Sequence, residues 1–567
     1  TENLQVSGAT LAVANGASEL SPATDDATHI INIRAAREAT RADIQPVPGS
    51  GCILGGYTLN GIKYVFRNNA GGTAAALYKT TAAGFVEISL GFTIGFTAGS
   101  TEFLEGLTVT GGTSSATGVI VAVGVSTGSW SGNDAAGNLY IKTISGSFQA
   151  ETITASTGSA TCTGAQAAVT LSPNGRFDII ANNFGGSAST RSLWGCDGVN
   201  RGFRFDGTDF AFIHVTGMAP DTPRHVFAFK QHLFFSFGGS VQNSSTTKPM
   251  VWDAITGANE IATGDTVTGF DLEPGDVMAI FNRRGTYILQ GTSIANWNLV
   301  HHSPRKGAIE WTIQNIGRSV YLDDRGITEF NPVREFGDFK DKAISQIVDP
   351  LIQSKKYTTV SSVRVDSKNQ YRIFFEDKGG LIVRIDDDEN PKFAEIEFDH
   401  VVRTAWSTEG DTGEEEIYFG SDDGYLYQME KGDSFDGALL PYFLRLPFAH
   451  LGSPRNKKRF YKATLEVDSK QVPPMSFAPE FSYGSADQPP PLVTTVSADE
   501  ISTGGGYWDV SNYGEFVWDG QLVGQAEAYL DGTGINISLS VLGESNYEPQ
   551  HTIHGVTYHY SLRGLKR

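Results

Sequence analysis

The chain has 567 residues and carries 43 basic against 63 acidic side chains, a net charge of −20, with 40% hydrophobic but only 19% charged residues. Such a length holds several domains with real cores. The acidic balance excludes a protein that grips nucleic acid over a broad basic surface, because that surface must displace counterions with Lys and Arg.

A passage along which DNA slides is not excluded, since a wall that does not hold phosphates lets the polymer move. Gly (65) far outnumbers Pro (22), and Phe (34) and Tyr (20) are abundant. Glycines that reach positive φ, alternating with aromatics that suit a half-buried pleated surface, are what short strands and tight turns need. The expected fold class is all-β. Cys52, Cys162 and Cys196 are odd in number and widely spaced, which argues against a disulfide framework or a structural zinc. The N-terminal TENLQVSGAT has neither a basic start nor an apolar core, so no secretory signal is expected. No apolar run approaches the ~20 residues of a membrane span. The longest, 118–125, has strand length, and membrane insertion is not expected.

Taken in chain order, one unit recurs: an apolar or aromatic strand, a short polar turn, and a second such strand. It occurs at 56–66 (GYTLNGIKYVF), 203–213 (FRFDGTDFAFI), 226–237 (VFAFKQHLFFSF) and 277–291 (VMAIFNRRGTYILQG). It returns at 319–330 (SVYLDDRGITEF), 371–386 (YRIFFEDKGGLIVRID) and 417–429 (IYFGSDDGYLYQM). NG, DG, RG and GG are hairpin turns with a mechanism, because their glycines adopt the left-handed backbone that such turns require. From Arg284 onward these turns recur at roughly 40–55 residues, the period of propeller blades of about four strands. The reading is a β-propeller of about six blades, with five to eight allowed.

Two regions break this period. Residues 91–171 are rich in Gly, Ala, Ser and Thr yet still alternate (EGLTVTGGTSSATGVIVAVGV), which predicts a small inserted β-barrel or sandwich. Residues 338–354 place Ala343, Ile344, Ile347, Val348, Leu351 and Ile352 at helical spacing, predicting two short helices divided at Pro350. The propeller is thus expected over 1–90 and 172–430, a connector over 431–460, and a C-terminal β-sandwich over 461–567 containing the rigid loop 488–491 (QPPP).

Chemistry-bearing clusters are sparse. Asp386–Glu389 (DDDE) and Glu414–Glu416 (EEE) flank strand ends and read as solvated turns, whereas glycosidase work needs two carboxyls held ~5–9 Å apart in a cleft. The nearest match to a sialidase-type S-x-D-x-G turn, Ser421-Asp422-Asp423-Gly424, has the wrong spacing. DDDENP and GDSFDG offer oxygen ligands without the alternating calcium loop. Adjacent His301 and His302 point to opposite faces of a strand, and His551 and His554 differ in parity, with His559 further along. G-x-S-x-G and P-loop motifs do not occur. No cofactor is expected and no enzymatic activity. The strongest basic cluster, Arg455, Lys457, Lys458, Arg459 and Lys462 with Arg563, Lys566 and Arg567, reads as an interface candidate, because a basic patch on an acidic subunit pairs with a neighbour's acidic surface.

Several stretches resemble the nozzle, or packaged-DNA stabilisation, proteins of short-tailed bacteriophages. They are FGSDDGYLYQMEKGDSFDG (419–437) with LPFAHLGSPRNKKRFYKATLEV (446–467), the ending HTIHGVTYHYSLRGLKR (551–567), and PRHVFAFKQHLFFSF (223–237). The 91–171 segment also resembles Gly-rich β modules of phage virion proteins, although many nozzle proteins lack such an insert. The resemblance spans most of 195–567 and is weaker over the first ninety or so residues. It implies a homo-hexameric ring in the virion tail, below portal and adaptor protein. Such a ring extends the channel for double-stranded genomic DNA, retains that DNA, and bears tail fibres or a needle. The alternatives are a carbohydrate-active propeller, needing converging carboxylates beside an aromatic such as Trp406 or Trp297, and a host-receptor-binding virion module.

Overall fold

The computed structural model describes residues 33–37, 44–82, 84–184, 186, 190–303, 305–330, 334–335, 338–339, 342–385, 391–410, 413–432, 434–469, 475–483, 494–496, 523–545 and 551–565. Asp386–Glu389, the QPPP loop, Lys566 and Arg567 lie outside them.

Among the described residues seven four-stranded sheets succeed one another along the chain. Their first strands are Ser50–Leu59, Asp178–Asn182, Val226–Phe229, Val267–Glu273, Gln314–Asn315, Thr359–Val365 and Val402–Glu409. Each of these abuts the next in order, and Val402–Glu409 abuts Ser50–Leu59, so the seven first strands close a ring. The fold is a seven-bladed β-propeller, and the sheets are called blades 1 to 7 below. The count is one more than the period suggested, because the 91–171 insert interrupts the period between blades 1 and 2. The seven hairpins read from sequence nevertheless fall one in each blade. The 56–66 turn shows why NG is chosen: Asn60 has φ 51° and Gly61 φ 78°. In blade 3 the same geometry is reached without glycine, at Lys230 (φ 48°) and Gln231 (φ 64°).

An apolar cluster fills each of the seven seams. Phe66, Phe177 and Phe203 bind blade 1 to blade 2, and Trp194, Leu233 and Phe235 bind 2 to 3. Phe234, Met278 and Ile280 follow at the next seam, then Phe281 and Tyr321, Leu322 and Tyr371, and Phe374 and Phe419. Ile53, Val65, Trp406 and Tyr418 close blade 7 onto blade 1. Each fully buried aromatic or aliphatic side chain contributes ~1.5–3 kcal/mol, so the seams hold the ring. Blade 7 takes its outermost strand from the other end of the chain: Arg34–Arg37 runs parallel to Leu426–Gly432. Arg34 is buried and bonds Tyr427 Oη at 3.4 Å and Asp436 at 3.1 Å.

Between blades 1 and 2 the insert forms a closed barrel. Its strands pair in the order 159–162, 151–154, 108–111, 117–127, 135–145, 92–101, and Ser159–Cys162 pairs back onto Phe92–Thr101. It is anchored on blade 2, with Tyr140 edge-on to Phe212 and Arg204 paired with Glu105 at 3.1 Å. The 338–354 expectation changes in detail. Asp338–Phe339 and Lys342–Ala343 are short strands, 346–348 is a 3₁₀ turn, and one helix spans Asp349–Lys355. Pro350 does not divide a helix; it sits in the first turn, where its missing N–H has no partner to lose.

The C-terminal domain is a sandwich of a four-stranded sheet (Leu440–Arg445, Ile537–Ser545, Met475–Phe481, Thr494–Val496) and a three-stranded one (Val523–Gly534, Asn456–Ser469, His551–Leu565). Phe460, Leu465, Phe477, Leu539 and Val541 meet between the sheets. It begins earlier than expected, since Leu440–Arg445 within the supposed connector pairs with Ile537–Ser545.

Candidate functional site

Four strands per blade return the chain to the same side before each new blade, so all first strands run the same way along the axis. Their starting ends converge, and there blades 2, 3, 5 and 7 deliver charged and aromatic groups. Arg176 and Asp178 open blade 2, Arg224 and His225 precede blade 3, Glu310 and Trp311 precede blade 5, and Arg403 is the second residue of blade 7. Sequence inspection singled out none of these as functional. Arg224 and His225 stand in the PRHVFAF stretch quoted for its resemblance, but the partners that give them meaning are remote in sequence.

The lead-in to blade 5 reaches the residues that open blades 3 and 2. Glu310 takes Arg224 in a two-pronged pair, with Nη2–Oε2 2.8 Å, and accepts from His225 Nε2 at 2.9 Å. His225 Nδ1 lies 3.3 Å from Asp178. Trp311 packs between the guanidinium of Arg176, 3.9 Å from the ring centroid, and the His225 ring at 5.0 Å. Its φ of 66° is a strained conformation for a bulky residue, costing ~1–3 kcal/mol. The ring stacking and a 2.8 Å bond from Ser362 Oγ to the Trp311 carbonyl hold it there.

Protonation follows from these contacts. Burial works to raise the Glu310 carboxyl, but hydrogen bonds and charge from Arg224 and His225 outweigh it and hold it down at about 2. Burial works against a proton on His225, yet the bonds to Asp178 and Glu310 overcome it and raise its pKa. Arg176 is brought down to about 9, chiefly by desolvation. The hub therefore sets three guanidiniums and a basic imidazole against two carboxylates.

At the other end of the axis Asp271 and Glu273, two apart on the first strand of blade 4, share a face. Ser319 Oγ donates to Asp271 and Ser319 N lies 3.3 Å from Glu273 Oε1, while Glu273 Oε2 is buried without a partner. Burial lifts the Glu273 carboxyl to about 7. A raised carboxyl is worth most below its unfolded value near 4.5 and loses that stabilisation as pH climbs through 7, by up to about 3 kcal/mol. Glu273→Gln is accordingly expected to stabilise the protein by about 1–3 kcal/mol at pH 8 and hardly at all at pH 5. Urea melts at both pH values measure it, and an equal effect at both contradicts the assignment.

The residues proposed from sequence are distributed as follows. Glu415 accepts from the backbone N–H groups of Asp366 (3.0 Å) and Ser367 (2.7 Å), and Glu416 lies 3.6 Å from Lys63, so both tie blade 7 to its neighbours. Trp406 is wedged against blade 1, its Nε1 donating to Thr58 Oγ1 at 3.0 Å. Trp297 packs on His232 and Phe234. His301 stacks on Tyr287, while His302 faces inward against Phe330. His554 and His559 are exposed on the last strand.

Of the basic cluster, Lys458 does not face solvent. Strand parity turns it inward, where its ammonium donates to the carbonyls of Ser453 (2.6 Å), Asn456 (3.3 Å) and Ile535 (2.9 Å), and burial lowers its pKa. Arg459 pairs with Asp531 and Lys462 with Glu527 across the strand, which neutralises both. Arg455, Lys457 and Arg563 remain exposed with no ion-pair partner among the described residues. On this sheet Tyr461 and Tyr529 are 49% and 71% exposed.

No family model matches the chain, and no curated protein matches it. Among solved structures it is similar to BBS1N, in a crystal structure of its complex with ARL6DN, at 11% identity over 44% of this chain and 78% of that one, with a TM-score of 0.30. U3-55K aligns at 9% identity over 67% and 92%, TM-score 0.36. The computationally designed Ika8 protein aligns at 9% over 68% and 98%, TM-score 0.31. Likeness at these TM-scores carries no argument about function, and the propeller assignment rests on the strand pairing itself.

Proposed function

We propose that the chain is a structural subunit of a short-tailed phage tail, a nozzle protein that assembles as a ring of six in the virion. In this reading the ring stands below the adaptor protein, bears fibres or a needle, and guides double-stranded DNA without catalysing a reaction. The observation that carries it is the C-terminal sheet: exposed Tyr461 and Tyr529 beside Arg455, Lys457 and Arg563, which have no ion-pair partner among the described residues, on a chain of net charge −20. Exposed tyrosines with adjacent cations make a contact surface, and its charge complements the rest of the same chain. Head-to-tail contacts that close generate a ring. In this reading DNA passes between copies and not through a propeller, whose hub holds Glu310 and Trp311 against Arg176, Arg224 and His225.

Light scattering of the purified chain, alone and with its adaptor ring, tests this. The expected species with adaptor has six times the 61.0 kDa of one chain. Charge reversal at Arg455, Lys457 and Arg563 together should abolish it while leaving the circular dichroism unchanged. The same preparation should bind duplex DNA poorly at physiological salt. Unimpaired assembly of the reversed variant, tight DNA binding, or turnover of bacterial surface polysaccharide by the wild type would each overturn the reading.

A further inference from the structure

We infer that the cleft between the inserted barrel and blades 2 and 3 binds a neutral oligosaccharide and holds it without cutting it. The cleft has a volume of about 730 Å³, within the ~300–1,000 Å³ of small-molecule sites. Three parts of the chain build it. Lys142 comes from the barrel strand 135–145, while Trp194, Arg204, Thr208 and Asp209 come from blade 2. Residues 247–251 come from blade 3, between Ser240–Asn243 and Asn259–Ala262.

The charges around the cleft balance, with Lys142, Arg204 and Lys248 set against Glu105, Asp206 and Asp209. Lys142 pairs with Asp209, and Arg204 with Glu105 at 3.1 Å and Asp206 at 3.8 Å. The Asp206 carboxylate also accepts from the N–H groups of Thr208 (2.9 Å) and Asp209 (2.8 Å). A charged ligand has to break such pairs. A hydroxyl adds to them, because it donates to the carboxylate and accepts from the cation beside it. Phe184 and Trp194, edge to face at 5.3 Å, give the cleft an apolar side together with Met250. Sugar rings match this lining, since hydroxyls rim them and their C–H faces lie on apolar and aromatic surface. The net charge of −20 repels acidic polysaccharides and leaves neutral ones. Asp206 and Asp209 are each engaged by a cation, so neither is free for the acid–base work of hydrolysis.

The backbone holds both sides of the cleft in shape without a ligand. Phe184 has φ 44° and Thr247 φ 59°, left-handed conformations that are costly for a bulky and a β-branched residue. Strain of this kind clusters at ligand clamps. The Phe184 N–H donates to Asn182 Oδ1 and the Thr247 N–H to the Gln231 carbonyl, both at 2.8 Å, which fixes each residue in place.

The test needs only the single chain, so ring assembly can succeed or fail independently of it. It is saturation-transfer NMR on the full chain with maltotriose, cellotriose, mannotriose and N-acetylated chitotriose. At least one should show saturable transfer and be recovered intact. Thr208→Trp, at an exposed position in the cleft lining, should fill the cleft and weaken that binding at least tenfold. Lys248→Trp obstructs it from the blade 3 side and decides if the first variant fails to fold. Lys431→Gln, an exposed position on blade 7, should bind as the wild type does. Transfer to none of these sugars, transfer that the folded tryptophan variants leave unchanged, or transfer to a Gly-Ser peptide of similar size in place of the sugars overturns the inference.

Discussion

Trp406→Ala is expected to lower the stability of the propeller by about 3–5 kcal/mol, the range for removing a large buried aromatic. Trp406 is 8% exposed and occupies the seam at which a chain that began with blade 1 must close on blade 7. Its ring fills the space left by Gly56, and its indole N–H satisfies Thr58 Oγ1 at 3.0 Å. Alanine empties that space, and the neighbouring strands cannot collapse into it because seven seams constrain them together. Trp406→Phe retains most of the packing and loses the hydrogen bond, so about 1 kcal/mol is expected. Guanidinium melts followed by far-UV circular dichroism give both values. A loss below about 1 kcal/mol for the alanine variant means that ring closure depends on the Arg34–Arg37 strand instead.

The second large effect belongs to Glu310. Removing one partner from a buried pair strands the others, and Glu310→Ala leaves the fully enclosed His225 with Asp178 alone and Arg224 with no carboxylate. The expected loss is about 3 kcal/mol, the low end for such a deletion, because Arg224 is still 46% exposed and partly solvated. The pH dependence has a definite sign. Glu310 is held at about 2, so its contribution is complete above its unfolded value near 4.5 and disappears as pH falls through 2. His225 is raised, so its contribution is complete below its unfolded value near 6.5 and is lost as pH rises through the folded one. Wild type should therefore gain most from this network between about pH 4.5 and 6.5, and Glu310→Ala should flatten that maximum. A stability–pH curve of unchanged shape would show that the lead-in to blade 5 is held by Trp311 alone.

Local chemistry and remote contact divide this protein cleanly. Turn residues and alternation specify strands one hairpin at a time, because a tight turn depends on the φ of two residues and a face on a period of two. All seven hairpins, the Gly-rich insert and the C-terminal strands were legible for that reason. Inserting Pro350 into a helical pattern was misread because proline is harmless in a first turn, and only the boundary decides whether it breaks or begins a helix. Lys458 was misread because charge says nothing about which face a bulged strand turns inward. The parallel strand 34–37 that finishes the seventh blade, and the hub built from Arg176, His225, Glu310, Trp311 and Arg403, left no mark in sequence. Those groups lie up to hundreds of positions apart along the chain, and only ring closure makes them neighbours. Closure is decided by seven seams of packed side chains acting together, a cooperative property that no single segment carries.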